Sequence, residues 1–385
     1  MSESRKAGPL AGLKVIEIAG LGAAPYGCMM LADMGAEVVR IERPGGDADT
    51  PANSPLLRNR RSIVLDLKRP AGVQALLEMV GKADALVEAF RPGVAERLGI
   101  GPDVSLARNP QLVYARMTGW GQTGPLAQRA GHDLNYIGLT GLLHQIGPAG
   151  GKPVVPLNVI GDFGGGGLLM AFGVMCAVFE VQRSGRGQVV DAAMIDGALS
   201  FMAMFFGYRA MGQFSDVTGS HLLGGGAHYY DVYEAADGRH LAVAAIEPQF
   251  YRAFLEKLGI DAQRFQAAGY PNLSQQTQGR EWPALKAELA AVFRTRSRDE
   301  WINVFEGTDA CVTPVLTLAE AAGHAHHRAR GSFIEIDGVQ QQAPAPRFDR
   351  TPAAMPSAPR PCGSDVELVA REWGIELDVL RGACG

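Results

Sequence analysis

From residue 13 to residue 116 the chain alternates short β-branched runs with helical stretches, and this alternation limits its fold more than any other feature. Leu13-Lys-Val-Ile-Glu-Ile-Ala reads as a strand, Gly20-Leu-Gly-Ala-Ala-Pro as a tight turn, 26–34 as a helix stopped by Gly35, and Val38-Val-Arg-Ile-Glu as the next strand. Strands are expected again at Ser62-Ile-Val-Leu-Asp-Leu, Ala85-Leu-Val-Glu-Ala and Leu112-Val-Tyr-Ala-Arg, with a proline-started helix over 70–80. Strand and helix in strict turn point to an α/β domain with a parallel sheet covered by helices on both faces.

The pattern changes in the second half. Residues 168–183 and 196–213 read as long helices. Near Gly224 a new unit starts with a hairpin, Tyr229-Asp-Val-Tyr-Glu-Ala and His240-Leu-Ala-Val-Ala-Ala, turned by Asp237-Gly238. Helices follow at 248–258, 280–293 and 298–306, then a return segment over 338–361 rich in Pro, Ala and Gln, and a helix at 367–373. The expected plan is a large α/β domain over 1–195, linker helices over 196–223, a small α+β domain over 224–325, and a return over 326–385 that completes the large domain.

Composition narrows function by exclusion. A net charge of −4 gives no footprint for nucleic acid or an anionic membrane. Five widely spaced cysteines with no CxxC pair indicate neither a disulfide framework nor a zinc site. The ends carry no signal core and no retention or peroxisomal address, so a cytoplasmic protein is expected. The apolar run 168–181 falls short of the roughly 20 residues a bilayer needs, and no membrane span is expected.

Four segments carry candidate chemistry. The first is the turn at Gly20 with the arginines after it: Arg40, Arg43, Arg58, Arg60, Arg61, then Lys68 and Arg69, then Phe90-Arg91. A GxG after a strand with Glu42 further on is a weak dinucleotide signature, since Pro25 occupies the third glycine position. Guanidinium groups at strand ends suit several phosphates and an adenine ring, and equally a solvated basic face. The second is Ala130-Gly-His132-Asp-Leu-Asn-Tyr136, where His132 and Tyr136 share a helix face. The third is Asn158-Val-Ile-Gly161-Asp162-Phe-Gly164-Gly-Gly-Gly167, with Asp162 where an N-cap belongs; free N–H groups there could also hold an oxyanion. The fourth is Glu247-Pro248, a carboxylate that could orient a histidine or satisfy a helix start. His324, His326 and His327 read as an exposed helix end, and no metal is expected.

Together these segments resemble the family III CoA-transferases, on their α-methylacyl-CoA racemase branch. The carriers are LADMGAEVVRIERPGGD, RSIVLDLK, MTGWGQTGP, AGHDLNY, PLNVIGDFGGGG, GQVVDAAMIDG, AIEPQFY, GTDACVTPVL and GSFIEIDG. The resemblance runs nearly end to end. It implies a Rossmann-like large domain, a smaller α+β domain and an interlocked homodimer. His132 and Asp162 are implied as catalytic, with Tyr136, Asn158 and Glu247 around them. CoA contacts are implied at Arg40, at Leu57, Arg58, Asn59 and Arg60, at Arg91, and at Gly131, His132, Asp133, Leu134, Asn135 and Tyr136. Two positions depart from the family pattern: Arg60 replaces a lysine, and Leu222-Leu-Gly-Gly-Gly-Ala-His228 replaces LLDGGAP.

The implied activity is a racemase of lipid metabolism that interconverts (R)- and (S)-2-methylacyl-CoA thioesters through an enolate. One group takes the α-proton and another returns it on the opposite face, and a His and an Asp can each do either. Backbone N–H groups near Asp162 and the 164–167 run are expected to hold the enolate oxygen. No cofactor is expected, with CoA entering as part of the substrate. A CoA-transferase using Asp162 as nucleophile remains open, as does a non-catalytic CoA- or nucleotide-binding protein.

Overall fold

The computed structural model describes residues 7–46, 53–260, 262–267 and 279–384. Residues 1–6, Asp47 of the quoted motif and Gly385 lie outside them. The chain divides into two compact units. Unit 1 comprises 1–140, 157–201 and 331–385, and unit 2 comprises 141–156 and 202–330. The expected plan changes in three places, the first being that residues 326–330 stay in unit 2 and the return starts at Gly331. Residues 141–156 leave the large domain for unit 2, and no separate linker remains, because 196–201 pack into unit 1 and 202–223 into unit 2.

Unit 1 is built on six strands, β1 (Lys14–Ile18), β2 (Glu37–Glu42), β3 (Arg60–Val64), β4 (Ala85–Glu88), β5 (Val113–Thr118) and β6 (Gln188–Ala193). They lie parallel in the order β3-β2-β1-β4-β5-β6, as the alternation requires. Ile16, Ile18, Val39, Ile41 and Tyr114 face one layer, with Leu76, Met79 and Trp373. Val15, Val38, Val87 and Ala115 face the other, with Ala24, Leu31, Met170 and Val174. Helices on both faces explain why the central strands read as near-continuous apolar runs. The helices on which the site depends are α1 (Ala23–Asp33), α2 (Pro70–Val80), α3 (Val94–Arg97), α4 (Pro102–Arg108) and α5 (Asp133–Gly138).

Two helical expectations shift. The stretch 196–213 breaks into Met194–Ser200 and Ala203–Ala210. The helix Leu169–Ser184 is preceded without interruption by a π-helical segment, Val159–Leu168. That makes 26 helical residues, long and apolar enough by length and composition to cross a membrane. Here Met170, Ala171, Val174 and Ala177 pack into the core, so the helix serves as a wall of unit 1.

Unit 2 carries the expected hairpin, extended to a three-stranded antiparallel sheet β7 (Tyr230–Glu234), β8 (His240–Ala244) and β9 (Val312–Pro314). Gly238 turns it at φ 73°. The core is aromatic: Tyr229, Tyr233, Tyr251, Phe254, Phe293 and Trp301 pack with Leu241 and Val243.

Candidate active site

β5 ends at Thr118, and the loop after it leads into α5. Tyr136 holds this loop from inside. Its ring is buried edge-on to Trp120, with centroids 4.8 Å apart, in space that Gly119 and Gly131 leave open. Its hydroxyl donates to the Gly131 carbonyl. Burial and the charge of Asp162 keep the phenol above its ordinary pKa. His132 is the N-cap of α5, in extended conformation. Its N–H donates to Asn135 Oδ1 at 3.1 Å and its carbonyl accepts from the Asn135 N–H at 2.8 Å. These bonds fix the backbone and leave an exposed imidazole.

Asp162 does not cap the glycine-rich helix. It lies inside the π-helical segment that Val159 begins. Its half-buried carboxyl accepts from Asn158 Nδ2 at 2.9 Å through Oδ2, and Gly22, at the turn after β1, backs the same carboxyl. The pKa is raised. Burial is the main cause and the Asp133 charge adds to it, while the Asn158 donation and His132 oppose it. Asp162 thus lies within electrostatic reach of His132, on a segment distant in sequence.

The glycines around Asp162 do a different task from the one expected. A Cβ on Gly165 would come within 2.6 Å of the Ala198 nitrogen, and one on Gly167 would strike the Ala23 carbonyl. They allow close packing of helices and do not form an oxyanion cradle. The amides of Gly161 and Asp162 are also occupied, donating at 2.6 and 2.8 Å to Asp133 Oδ2. The amides of Asp133 and Leu134 are first-turn amides of α5, which a helix leaves without an intrahelical partner.

The arginine string changes meaning as well. Arg40 donates to Glu17 at 2.6 Å, to Glu42 at 2.9 Å and to the Gly20 carbonyl. Arg60 donates to Glu17 at 2.7 Å and to the carbonyls of Leu56 and Pro25. Arg58 holds Asp33 through two nitrogens, and Gln341 and the Gln342 carbonyl as well. All three are at most 3 % exposed. Their guanidinium groups are committed to internal carboxylates: strand register puts Glu17 beside Arg40, Arg60 reaches the other oxygen of Glu17, and Arg58 is held by Asp33 of α1. The guanidinium groups of Arg40, Arg58 and Arg60, read from sequence as suited to phosphates or to a solvated basic face, are thus turned inward. Asn59 bonds Asp33 and Ser357 from a left-handed φ of 64°, and Leu57 lies half-buried in a 3-10 turn. Within 131–136, Asp133 and Tyr136 turn inward, while His132, Leu134 and Asn135 are exposed.

A cavity of about 570 Å³ opens at the carboxyl ends of β1, β2 and β4, lined by Ile18, Leu21, Arg43, Lys68, Phe90 and Leu98. The sheet order reverses between β1 and β4, where open α/β sheets bind ligands. Lys68 and Phe90 stood in the basic string, but the apolar lining was not singled out from sequence. Strand ends flanking the reversal were the signal for it. The turn bearing Phe90 and Arg91 is tied at its start by Glu88, buried at the end of β4. Glu88 accepts from the Phe90 N–H at 2.6 Å and from Arg116 at 2.9 Å. Arg116 also grips Glu96 of α3 at 2.8 Å. Arg91 is exposed, and its charge reaches Tyr136.

Glu247 stands on unit 2, exposed, as the residue before the helix Pro248–Leu258, and its side chain makes no capping bond. Among the described residues no group of three or more His, Cys, Asp and Glu could hold a metal ion.

The family model for CoA-transferase family III matches residues 10–366. The chain is 45 % identical to mouse alpha-methylacyl-CoA racemase and 42 % identical to the human one, in each case over 96 % of this chain and 95 % of that protein. It is 31 % identical to the acetyl-CoA:oxalate CoA-transferase of Acetobacter aceti, over 86 % of this chain and 87 % of that protein. A CAIB/BAIF family protein from Brucella suis superposes with a TM-score of 0.81 at 25 % identity, covering 96 % of this chain and all of that one.

Proposed function

This chain belongs to CoA-transferase family III, and on that premise we propose that it is an α-methylacyl-CoA racemase, with His132 and Asp162 as its two proton carriers. One observation carries the reading. In a chain this similar to two racemases, a carboxyl of raised proton affinity lies within electrostatic reach of an exposed imidazole, and two such groups are what a two-base proton transfer uses.

The α-proton of a thioester is weakly acidic, so its removal needs a base on one face and a donor on the other. His132 takes the proton from the S substrate and Asp162 returns one to the opposite face; from R to S the roles exchange. A carboxyl that must also donate works best when its proton affinity is lifted toward the working pH, and the shift of Asp162 is in that direction. Asn158 engages Oδ2 and leaves Oδ1 to carry the proton. Since Asp133 occupies the amides of Gly161 and Asp162, the first-turn amides of α5 are the donors proposed for the enolate oxygen.

CoA enters as part of the substrate, and the chemistry calls for no metal, nicotinamide or flavin. Its nucleotide half takes the cavity with Arg43, Lys68 and Phe90, and Arg91 lies toward the catalytic loop. A cytoplasmic homodimer belongs to the same proposal. Supporting the dimer, Phe172 and Phe179 are 64 % and 61 % exposed on one helix, beside the edge strand β6.

The test is incubation with a 2-methylacyl-CoA in D₂O, following deuterium at Cα and loss of optical rotation. Exchange that disappears in His132→Ala and Asp162→Ala is the expected result. Transfer of CoA to an added carboxylate without deuterium uptake would replace the racemase with a transferase using Asp162 as nucleophile. Saturable CoA binding with neither reaction would leave a binding protein.

A further inference from the structure

We propose that Asp133 is a positioning residue for Asp162: it anchors the start of the π-helical segment through two amides and so presents the Asp162 carboxyl beside His132. The inference rests on the racemase reading. Asp133 is 4 % exposed, and one oxygen, Oδ2, accepts from Gly161 N at 2.6 Å and Asp162 N at 2.8 Å. Amides at the start of a helical segment have no intrahelical acceptor, so a buried start needs an outside one. Bonds to an ionised acceptor are the strong kind. The approach is so close that a Cβ on Gly161 would lie 2.7 Å from Oδ2, which accounts for a glycine there. Asp133 also follows His132 directly in sequence, so one short helix start fixes the backbone of both proton carriers. The pair stays in register only while Asp133 bridges α5 to the π-helical segment.

The second oxygen of Asp133, Oδ1, is buried without a hydrogen-bond partner. A negative charge answered only by backbone dipoles favours the protonated form of a neighbouring carboxyl, in the direction found for Asp162. The other groups around Asp162 are few. From α5 come His132 and Tyr136, and the neutral Asn158 lies on its own segment. From α1, Tyr26 stacks on Phe163, while Asp33 is bound to Arg58. The helix Met194–Ser200 carries Asp196, and β6 carries Asp191, both exposed. On β5, Arg116 is held by Glu88 and Glu96, and Glu180 and Arg183 lie in the last turns of the helix Leu169–Ser184. Asp133 is thus the buried anion that faces Asp162.

Two substitutions separate placement from charge. Asp133→Asn keeps an acceptor for the amides and puts its NH₂ where Oδ1 now has no partner, so its shape is tolerated. Asp133→Glu keeps the charge but moves it by one methylene. With ¹³C-labelled aspartate, the Asp162 carboxyl is titrated directly, its signal assigned with Asp162→Asn. In Asp133→Asn its titration is expected at lower pH than in the parent, together with the acid limb of the Cα deuterium exchange. In Asp133→Glu, kcat for exchange is expected to fall on the order of 100-fold with KM little changed. An Asp162 titration unmoved in Asp133→Asn, or a parental kcat in Asp133→Glu, overturns the proposal. The titration reads the same whether or not the parent protein exchanges deuterium, so failure of the racemase reading would be seen separately.

Discussion

Glu17 and Asp133 are both buried carboxylates of unit 1, and the protein answers them in opposite ways. Glu17, fully buried in the middle of β1, receives Arg40 on one oxygen at 2.6 Å and Arg60 on the other at 2.7 Å. Asp133 receives two amides on one oxygen, and its other oxygen has no partner. A charge met by two cations is neutralised where it stands and ties three strands together. A charge met only by dipoles projects its field onto the next titratable group, and that group is Asp162. One arrangement supplies structure, and the other adds to a proton affinity that burial has already raised, within electrostatic reach of an exposed imidazole.

The largest effect that would break this contrast is on stability. Glu17→Gln removes the charge shared by two arginines at most 3 % exposed and leaves them buried. Breaking a buried ion pair from one side costs about 3–5 kcal/mol. Urea denaturation should show the unfolding free energy falling by that amount, through a lower midpoint with the slope unchanged; a loss below about 1 kcal/mol would mean that water or rearrangement can replace the network. Next in size is Gly161→Ala, which places a methyl against Asp133 Oδ2. Overpacking of this kind costs about 1–3 kcal/mol, and the same denaturation checks it. If Asp133 swings away, Cα exchange should fall with stability; if stability alone falls, Asp133 matters only to packing.

Much of this frame was legible in the sequence. The parallel sheet followed from alternation, because strands buried on both faces read as apolar runs and proline and glycine mark the helix ends. His132 and Asp162 were legible as residues, though Asp162 was read as a cap and lies within a helix. Within that helix Gly165 and Gly167 let Ala198 and Ala23 approach closely, a tertiary contact that no local propensity encodes. The ion pairs were missed because they depend on register. Glu17 stands beside Arg40 and Glu88 beside Arg116 in adjacent parallel strands. A glutamate inside an otherwise apolar central strand was the available signal, since a charge there needs a partner. Arginines weighed as phosphate ligands or as a solvated basic face were the partners it needed.

Glu88 is the intermediate case, answered by one cation and one amide, and it sharpens the comparison at the cavity. Glu88→Gln keeps an acceptor for the Phe90 N–H and weakens the hold on Arg116. The turn carrying Phe90 should loosen, and KM for the acyl-CoA should rise about tenfold, which is about 1.4 kcal/mol of binding, with kcat little changed. An acyl-pantetheine, which lacks the nucleotide half, should show no such penalty. An equal penalty on both substrates would place the effect of Glu88 outside nucleotide binding.

The smallest effect belongs to unit 2, where a buried polar group again lacks a counter-charge. His228 is 1 % exposed, its Nε2 lies 2.7 Å from the Tyr251 hydroxyl, and its Nδ1 is buried without a partner. Burial, helped by the nearby Lys286, pushes its pKa down to about 3. The folded protein therefore keeps the ring neutral at pH values where the unfolded chain, with an ordinary histidine near 6.5, binds a proton. Stability from this group is fully present above about pH 6.5 and is lost as pH falls toward the folded value. Between pH 7.5 and pH 6 the loss from this one residue is roughly 0.8 kcal/mol. Denaturation at both pH values in the parent and in His228→Asn isolates it, because the substitution removes the titration and should flatten that part of the pH dependence. An undiminished slope in His228→Asn would mean that the ring takes up its proton in the fold over the same pH range as in the unfolded chain. Asp133 would then be the only one of the two to hold its state without a counter-charge.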